Sequence, residues 1–241
     1  MTLQEQLDQL ATACRVLEME GHGDMTLGHL SLRDPEGRGF WLKRNARGLG
    51  EILSHKDFVL VSFDGVKLEG EGGQHSEWPI HSEILRHRPD VQVVAHTHPF
   101  HASLLSSFGS QLAPFTLDAD YFEALPCHRD EVALLKTKEE GTALAHSLGE
   151  HFAVLMANHG VTFCGTSIAH AVCVGVFLEK AARIHVQGAQ MRTEADFPAQ
   201  AVRQRRNQQI MTPVHVEHSW NYFVRKLGQL ERTSGAPGLF S

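Results

Sequence analysis

The chain has 241 residues, enough for one large domain or two small ones. Its formal net charge of −6, 42% hydrophobic residues and 21% charged residues are typical of a globular protein. The negative charge argues against nucleic-acid binding, and the sequence shows neither a membrane-spanning run nor a secretory leader. Its four cysteines form no Cys-x-x-Cys pair, so we expect a cytoplasmic protein with reduced thiols. The chain has an unusually large number of histidines, 17. Their positions in the sequence must indicate which of them have a chemical role.

The first half of the chain alternates helical and extended patterns. Apolar residues recur with a helical period near the N-terminus, and short strand-like runs joined by turn residues follow, which predicts hairpins. The predicted elements are a helix over Leu3–Glu20, a hairpin of His29–Arg33 with Phe40–Lys43, and a hairpin of Phe58–Phe63 with Val66–Leu68.

The second half carries longer helices between single strands. A helix is predicted from Ser76, its expected N-cap, to about Arg88, with Pro79 in its first turn. A polar helical tail begins at about residue 195. The hairpins favour an antiparallel or mixed sheet covered by helices, in one domain spanning residues 1–241. The other predicted elements are strands over Val91–Ala95, Phe152–Met156 and Val161–Cys164, and helices over Phe100–Phe108, Lys138–Leu148 and about 167–190.

Two histidines close the apolar run Val91–Ala95, in the segment His96-Thr97-His98-Pro99. Because side chains alternate along a strand, His96 and His98 are expected to point to one face. Imidazole is the commonest metal ligand among protein side chains. The pair therefore predicts half of a metal site.

Two other segments could supply the remaining ligands. Gly160 in Asn158-His159-Gly160 permits a tight turn from which His159 could project toward a neighbouring strand, although a solvent-facing histidine fits the spacing equally well. Glu77 lies in the first turn of a predicted helix, where the helix dipole alone favours an acid. Spacing by itself leaves both alternatives open.

Three segments resemble, in order and approximate spacing, the motifs of the class II aldolase/adducin family. They are Glu77-Trp78, His96-Thr97-His98-Pro99 and Asn158-His159-Gly160. The opening helix and the segment Gly23–Arg33 resemble that family too, so the similarity covers about residues 5–190. The resemblance implies an α/β fold, a single-domain α/β/α sandwich around a central, largely antiparallel sheet, commonly in a homotetramer. It also implies a divalent metal, Zn²⁺ first and Mn²⁺, Co²⁺ or Fe²⁺ as alternatives, on His96, His98 and His159, with Glu77 as ligand or acid–base group.

The chain departs from the sugar-phosphate aldolases of that family where they hold the phosphate. His29 stands where they have asparagine, and His75-Ser76 replaces a Ser-Ser pair before Glu77. Ser76 remains a candidate substrate-binding hydroxyl. The segment Lys43–Gly50 lacks a clear Thr-Gly pair. It carries three cations that could hold a substrate carboxylate or form a solvated basic loop: Lys43, Arg44 and Arg47.

The segment Gly28-His29-Leu30-Ser31 resembles the family's decarboxylases of hydroxylated aromatic or pyridine carboxylates. This resemblance favours a metal-dependent lyase that decarboxylates a dihydroxyphthalate- or hydroxypyridine-carboxylate-like acid, with Glu77 or His29 carrying the proton. The segment around Trp220 also resembles the C-terminal helix of those enzymes. Tyr222 is therefore a candidate substrate contact, against the alternative of an amphipathic packing helix.

Two other functions stay open at the level of sequence. An aldolase or epimerase acting on a small sugar or hydroxy-carbonyl compound would use the same metal chemistry, but its phosphate site is not evident. A non-catalytic scaffold, as in the adducin branch, is disfavoured because all three histidines and Glu77 are present. We therefore expect a small carboxylic acid as the partner of a homo-oligomer that binds neither nucleic acid nor membranes.

Overall fold

The computed structural model of the protein describes residues 1–108, 112–129, 133–191 and 195–234. These residues form one sheet with the strand order β4-β3-β2-β1-β5-β8-β7-β6, antiparallel throughout except for the parallel pair of the last two. The strands are β1 (His29–Arg33), β2 (Phe40–Lys43), β3 (Phe58–Val61), β4 (Lys67–Glu69), β5 (Val93–Thr97), β6 (Cys127–His128), β7 (Ala153–Met156) and β8 (Gly160–Gly165).

Helices cover both faces of the sheet. The described helices are α1 (Leu3–Leu17), α2 (Trp78–His87), α3 (Phe100–Phe108), α4 (Lys138–Leu148), α5 (Ile168–Gly188), α6 (Gln200–Ile210) and α7 (Pro213–Ser234). On one face α2 packs against α4 over a core that includes Ile84 and Leu144; on the other, α1, α3 and α7 surround α5 over a core that includes Leu10 and Leu178. This arrangement confirms the predicted α/β/α sandwich around a largely antiparallel sheet.

Several boundaries differ from those predicted. The N-cap of α2 is Glu77 rather than Ser76, and α1 ends at Leu17, before a wide turn that reaches His22 through Gly21 with a φ of 88°. Strand β6 was not predicted, because two residues give no recognisable period. The helical tail is present as α6 and α7, and α7 contributes Trp220 and other apolar residues to the core.

The sheet also fixes which residues meet at one of its ends. Strand β5 lies two residues later than predicted, so His96 is inside the ladder, opposite His29 of β1 and Thr162 of β8. The antiparallel pairing places the start of β1 beside the end of β5, and the end of β5 beside the start of β8, where the β7–β8 turn ends. Among the described helices, none is long and apolar enough to cross a membrane.

Candidate metal centre

Three imidazoles from distant parts of the chain converge at this end of the sheet. The Nε2 atoms of His96 and His98 lie 3.1 Å apart. The ring of His159, in the β7–β8 turn, has its centroid 4.8 Å from that of His96 and 5.2 Å from that of His98. One nitrogen from each ring lies within 4.8 Å of the other two, so the three side chains can reach a shared ion.

The turn that carries His159 is built differently from the prediction. The left-handed residue is Asn158, with a φ of 59°, a residue type that tolerates this conformation. Gly160 is required for packing instead, because a Cβ there would lie 2.5 Å from Cδ2 of His98 and 2.6 Å from the carbonyl oxygen of Thr97. The glycine lets β8 lie directly against His98.

Hydrogen bonds on the outer ring nitrogens prepare two of these histidines for a cation. Nδ1 of His96 lies 3.0 Å from the carbonyl oxygen of Val161, and Nδ1 of His98 lies 2.9 Å from Oδ2 of Asp24. Both partners accept, so each Nδ1 carries the proton and each Nε2 keeps its lone pair. The two Nε2 atoms are 3.1 Å apart, and their lone pairs repel unless a positive charge lies between them. Two nitrogens that bind one tetrahedral Zn²⁺ at ~2.1 Å are ~3.4 Å apart, which is close to this separation.

Burial also keeps these rings in the form that binds metal. It lowers the pKa of His96 well below its ordinary value and the pKa of His159 to about 4, and neighbouring imidazoles add to both shifts. A neutral imidazole is the ligand form, whereas an imidazolium must lose a proton first. The donor set therefore fits a divalent cation with uncancelled charge and open positions.

Glu77 faces the same point from the start of α2. It occupies the N-cap position of α2, but its side chain accepts no hydrogen bond from that helix. Burial raises the pKa of Glu77 to about 7, against the opposing effects of the Leu135 N–H, which donates to Oε1 at 3.1 Å, and of the Lys136 charge. Its carboxylate oxygens lie 3.7–4.0 Å from Nε2 of three histidines, His29, His96 and His159.

His29 lies at the inner side of this group, fully buried. Its Nδ1 shares a 2.7 Å hydrogen bond with Nε2 of His81, and Nδ1 of His81 shares another of 2.7 Å with Oγ of Ser31. Burial lowers the pKa of His29 well below its ordinary value and the pKa of His81 to about 3, so both rings are neutral. Nε2 of His29 has no hydrogen-bond partner among the described residues and lies 3.7 Å from Oε2 of Glu77.

The three cations at the end of β2 and in the loop after it contact their own chain. Lys43 is fully buried, and its ammonium donates to the carbonyl oxygen of Arg44 at 3.2 Å and to that of Arg47. The guanidinium of Arg47 is 3.3 Å from Glu51, and that of Arg44 is 4.0 Å from Asp57. These contacts hold the loop in shape and leave less of each charge for a substrate.

The remaining two candidates lie apart from each other. Ser76 is exposed and lines a cavity of about 520 Å³ beside the site. Tyr222 lies on α7 with 54% of its surface exposed, and its ring contact within the described residues is with Phe223. The structure of one chain therefore brings Ser76, but not Tyr222, toward the histidines.

Sequence reasoning missed three side chains at this site. Asp24 lies in the segment Gly23–Arg33 and His75 lies directly before Ser76 and Glu77, so motifs already identified in the sequence contain both residues. Lys136 had no signal, because it lies in irregular chain before α4 and reaches the site only through folding.

Comparison with known proteins defines the class. The chain belongs to the class II aldolase and adducin family, since the family profile of the Class II Aldolase and Adducin N-terminal domain matches residues 8–186. A 3,4-dihydroxyphthalate decarboxylase of Arthrobacter keyseri is 30% identical over 192 residues, which cover 75% of this chain and 77% of that protein. A 5-deoxy-D-ribulose 1-phosphate aldolase of Bacillus thuringiensis serovar kurstaki is 31% identical over 133 residues, covering 55% and 62%.

A solved structure confirms the fold. The aldolase II superfamily protein from Pseudomonas syringae has a TM-score of 0.84 and 25% identity, and the match covers 99% of this chain and 98% of that one. Members of this family are lyases, decarboxylases and aldolases, and class II aldolases generally depend on a divalent metal. Family membership thus agrees with the donor set and leaves the reaction to be decided by the site.

Proposed function

We propose that this chain is a divalent-metal-dependent lyase that removes carbon dioxide from a hydroxylated aromatic acid. The observation that carries the proposal is the convergence of three neutral imidazoles beside a buried carboxyl group. His96, His98 and His159 would hold the ion, with Zn²⁺ as the first candidate. When bound, the ion supplies positive charge for an adjacent hydroxyl and carboxylate and for the negative charge that develops as the carbon–carbon bond breaks.

The protein side chains account for the proton in this reaction. The ring carbon that bears the departing carboxylate gains one proton, the electrons of the broken bond stay with the ring, and carbon dioxide leaves. Glu77, as the acid–base group, lies within 4.0 Å of Nε2 of two proposed ligands, His96 and His159, and of Nε2 of their neighbour His29. His29 presents Nε2 at the same point, held in orientation by His81.

An aromatic substrate is supported by the wall of the adjoining cavity. Trp78, the residue after Glu77, lines that cavity, and a flat indole suits a planar ring. The decarboxylase from Arthrobacter keyseri, which is named for a dihydroxylated aromatic diacid, is consistent with this choice. Cleavage of a sugar phosphate is the second candidate, because the similar protein from Bacillus thuringiensis is named as an aldolase.

The deciding experiment compares products. Protein loaded separately with Zn²⁺, Mn²⁺, Co²⁺ or Fe²⁺ is incubated with 3,4-dihydroxyphthalate, 2,3-dihydroxybenzoate or 5-deoxy-D-ribulose 1-phosphate. We expect carbon dioxide from an aromatic acid and no aldehyde from the sugar phosphate. Aldehyde release without carbon dioxide release would replace this proposal by the aldolase. The His96→Ala variant under the same conditions controls for catalysis by free metal.

Assembly and location belong to the same proposal. A homotetramer would be tested by light scattering of the purified protein, which should give about four times the 26.8 kDa chain mass. A cytoplasmic location is consistent with four free cysteines in the structure.

A further inference from the structure

A second cavity, of about 750 Å³, lies at the opposite end of the sheet from the proposed metal ligands. Phe152, directly before β7, and Thr166, directly after β8, both line it. His159 lies in the turn that joins the other ends of these two strands. The six residues of β8 span about 20 Å, so this cavity is separate from the proposed reaction centre.

Aromatic rings from several elements form the walls of this cavity. Tyr121 and Phe177 stack face to face, with their centroids 4.2 Å apart and an angle of 14° between the planes. The rings of Phe152 and His170 meet edge-to-face, with their centroids 4.6 Å apart, and Trp220 of α7 also lines the cavity. Such rings offer a ligand both apolar surface and electron-rich faces that attract a cation.

The charged side chains that line the cavity are acidic. Three glutamates do so, all of them exposed, and no lysine or arginine does so among the residues that the structure describes; the glutamates are Glu123, Glu150 and Glu217. Glu123 accepts a hydrogen bond at 2.8 Å from the neutral amide of Gln204. Within the described part of the chain, Glu150 and Glu217 have no ion-pair partner within 4.0 Å. The mouth of the cavity is therefore negative.

Arg88 is close to this cavity but does not cancel its charge. The guanidinium lies over the ring of Phe152, with Cζ 5.2 Å from the ring centroid, and pairs with Asp90 at 2.8 Å. The charge of Glu150 also acts on it, so this one cation faces two carboxylates. His170 adds no charge at neutral pH, because burial lowers its pKa below the ordinary value.

Two polar side chains of the wall indicate which hydrogen bonds a ligand can form. Asn207 donates through Nδ2 to the carbonyl oxygens of Asp120 and Tyr121, at 2.8 and 3.2 Å, so its Oδ1 is left to accept. Nδ1 of His170 accepts from the Thr166 N–H at 3.3 Å, which puts the ring proton on Nε2. That atom is buried without a hydrogen-bond partner among the described residues, an uncommon state that a ligand or water often explains.

We propose that this cavity is a binding site for a small aromatic ammonium compound that carries a hydroxyl group on its ring. The aromatic walls hold the ring, Nε2 of His170 donates to the hydroxyl oxygen, and the carboxylates of Glu150 and Glu217 attract the ammonium. Aromatic faces and carboxylates both favour a cation over an anion or a neutral group. The inference goes beyond the proposed lyase and does not depend on it, because the two sites lie at opposite ends of the sheet.

Three compounds of similar shape test the selectivity for charge. Tyramine, 3-(4-hydroxyphenyl)propionate and 4-ethylphenol share the hydroxylated ring and carry a positive charge, a negative charge and no charge. We expect calorimetry on zinc-loaded protein to give about tenfold tighter binding of tyramine than of the other two, with a smaller difference at high salt. Equal affinities, or no binding of tyramine up to about 10 mM, would overturn the inference.

The His96→Ala variant separates this cavity from the metal centre. It removes a proposed metal ligand at the other end of the sheet, so tyramine should bind to it as tightly as to the parent. The anionic and neutral compounds are compared in the same variant, because their oxygen atoms could also bind zinc. Loss of tyramine binding in this variant would place the compound at the metal centre and contradict the proposal.

Variants of the lining residues assign the binding to the cavity. Glu150→Gln combined with Glu217→Gln should weaken tyramine binding about fivefold and change 4-ethylphenol less than about twofold, since exposed carboxylates act through their charge. Glu139→Gln removes an exposed acid of α4 on the other face of the sheet and should change neither. Phe177→Leu keeps apolar bulk but loses a π face, so it should weaken tyramine about threefold more than 4-ethylphenol. Parental tyramine affinity in the double glutamine variant would refute the assignment.

Discussion

The Asp24 carboxylate accepts a hydrogen bond from Nδ1 of His98 at 2.9 Å, on the edge of the ring away from the nitrogen that meets His96. Asp24 thus orients the ring and keeps the lone pair on Nε2. A carboxylate behind a metal-binding histidine also raises the basicity of the ligand. The same Asp–His geometry occurs between Asp8 and His55, also at 2.9 Å, in a pair that contributes nothing to the site.

Asp24→Asn should weaken metal binding by about 10- to 100-fold, because the amide keeps the shape and loses the charge behind His98. The measurement is competition for Zn²⁺ against a chromophoric chelator. Asp8→Asn breaks the comparable pair elsewhere and should leave zinc affinity unchanged. Equal affinities of the Asp24 variant and the parent would show that this carboxylate does not tune the ligand.

His96→Ala or His98→Ala should remove bound metal and activity together. The fold should persist, because the sheet and its two apolar cores do not depend on an ion. Metal content after dialysis and the circular dichroism spectrum measure the two effects separately. A variant that keeps full turnover would mean that the reaction centre lies elsewhere.

Glu77→Gln should slow the reaction by about 10²- to 10⁴-fold, the usual contribution of one acid–base group. Glutamine preserves an oxygen to accept from the Leu135 N–H, so the loop should stay in place. The measurement is kcat on metal-saturated protein, with metal content as the control. An unchanged kcat would leave Glu77 without an acid–base role.

The sequence predicted the parts of the site that depend on local pattern. His96 and His98 share a strand, and alternation alone places them on one face. The meeting of Lys136 with Glu77 depends instead on irregular segments joined through tertiary packing. Lys43 shows the converse limit. Its sequence neighbours left open a carboxylate-binding cation or a solvated basic loop, whereas in the fold backbone carbonyls satisfy its buried ammonium.

Gly160→Ala should destabilise the protein and weaken metal binding together. The added methyl group would overlap the Thr97 carbonyl oxygen and the His98 ring, so β8 or His98 must shift, at a cost of about 1–3 kcal/mol. Thermal unfolding and zinc titration measure the two effects. Gly228→Ala, on α7 with 3.5 Å to the nearest atom, should be neutral or stabilising. Wild-type stability for the Gly160 variant would contradict the close approach.

As the pH falls, the metal-free protein should lose stability, partly because of His22. This imidazole is fully buried, and burial lowers its pKa from 6.5 to about 4. Between these values the unfolded chain binds a proton that the folded chain does not, so the free energy of unfolding decreases as the pH falls. The loss due to His22 amounts to about 2 kcal/mol between pH 7 and pH 5.

Urea unfolding with a chelator present should show a shallower pH dependence for His22→Gln than for the parent. His218→Gln, which removes an exposed imidazole, should keep the parent's pH dependence, and an equally steep loss in the His22 variant would assign the effect to other groups.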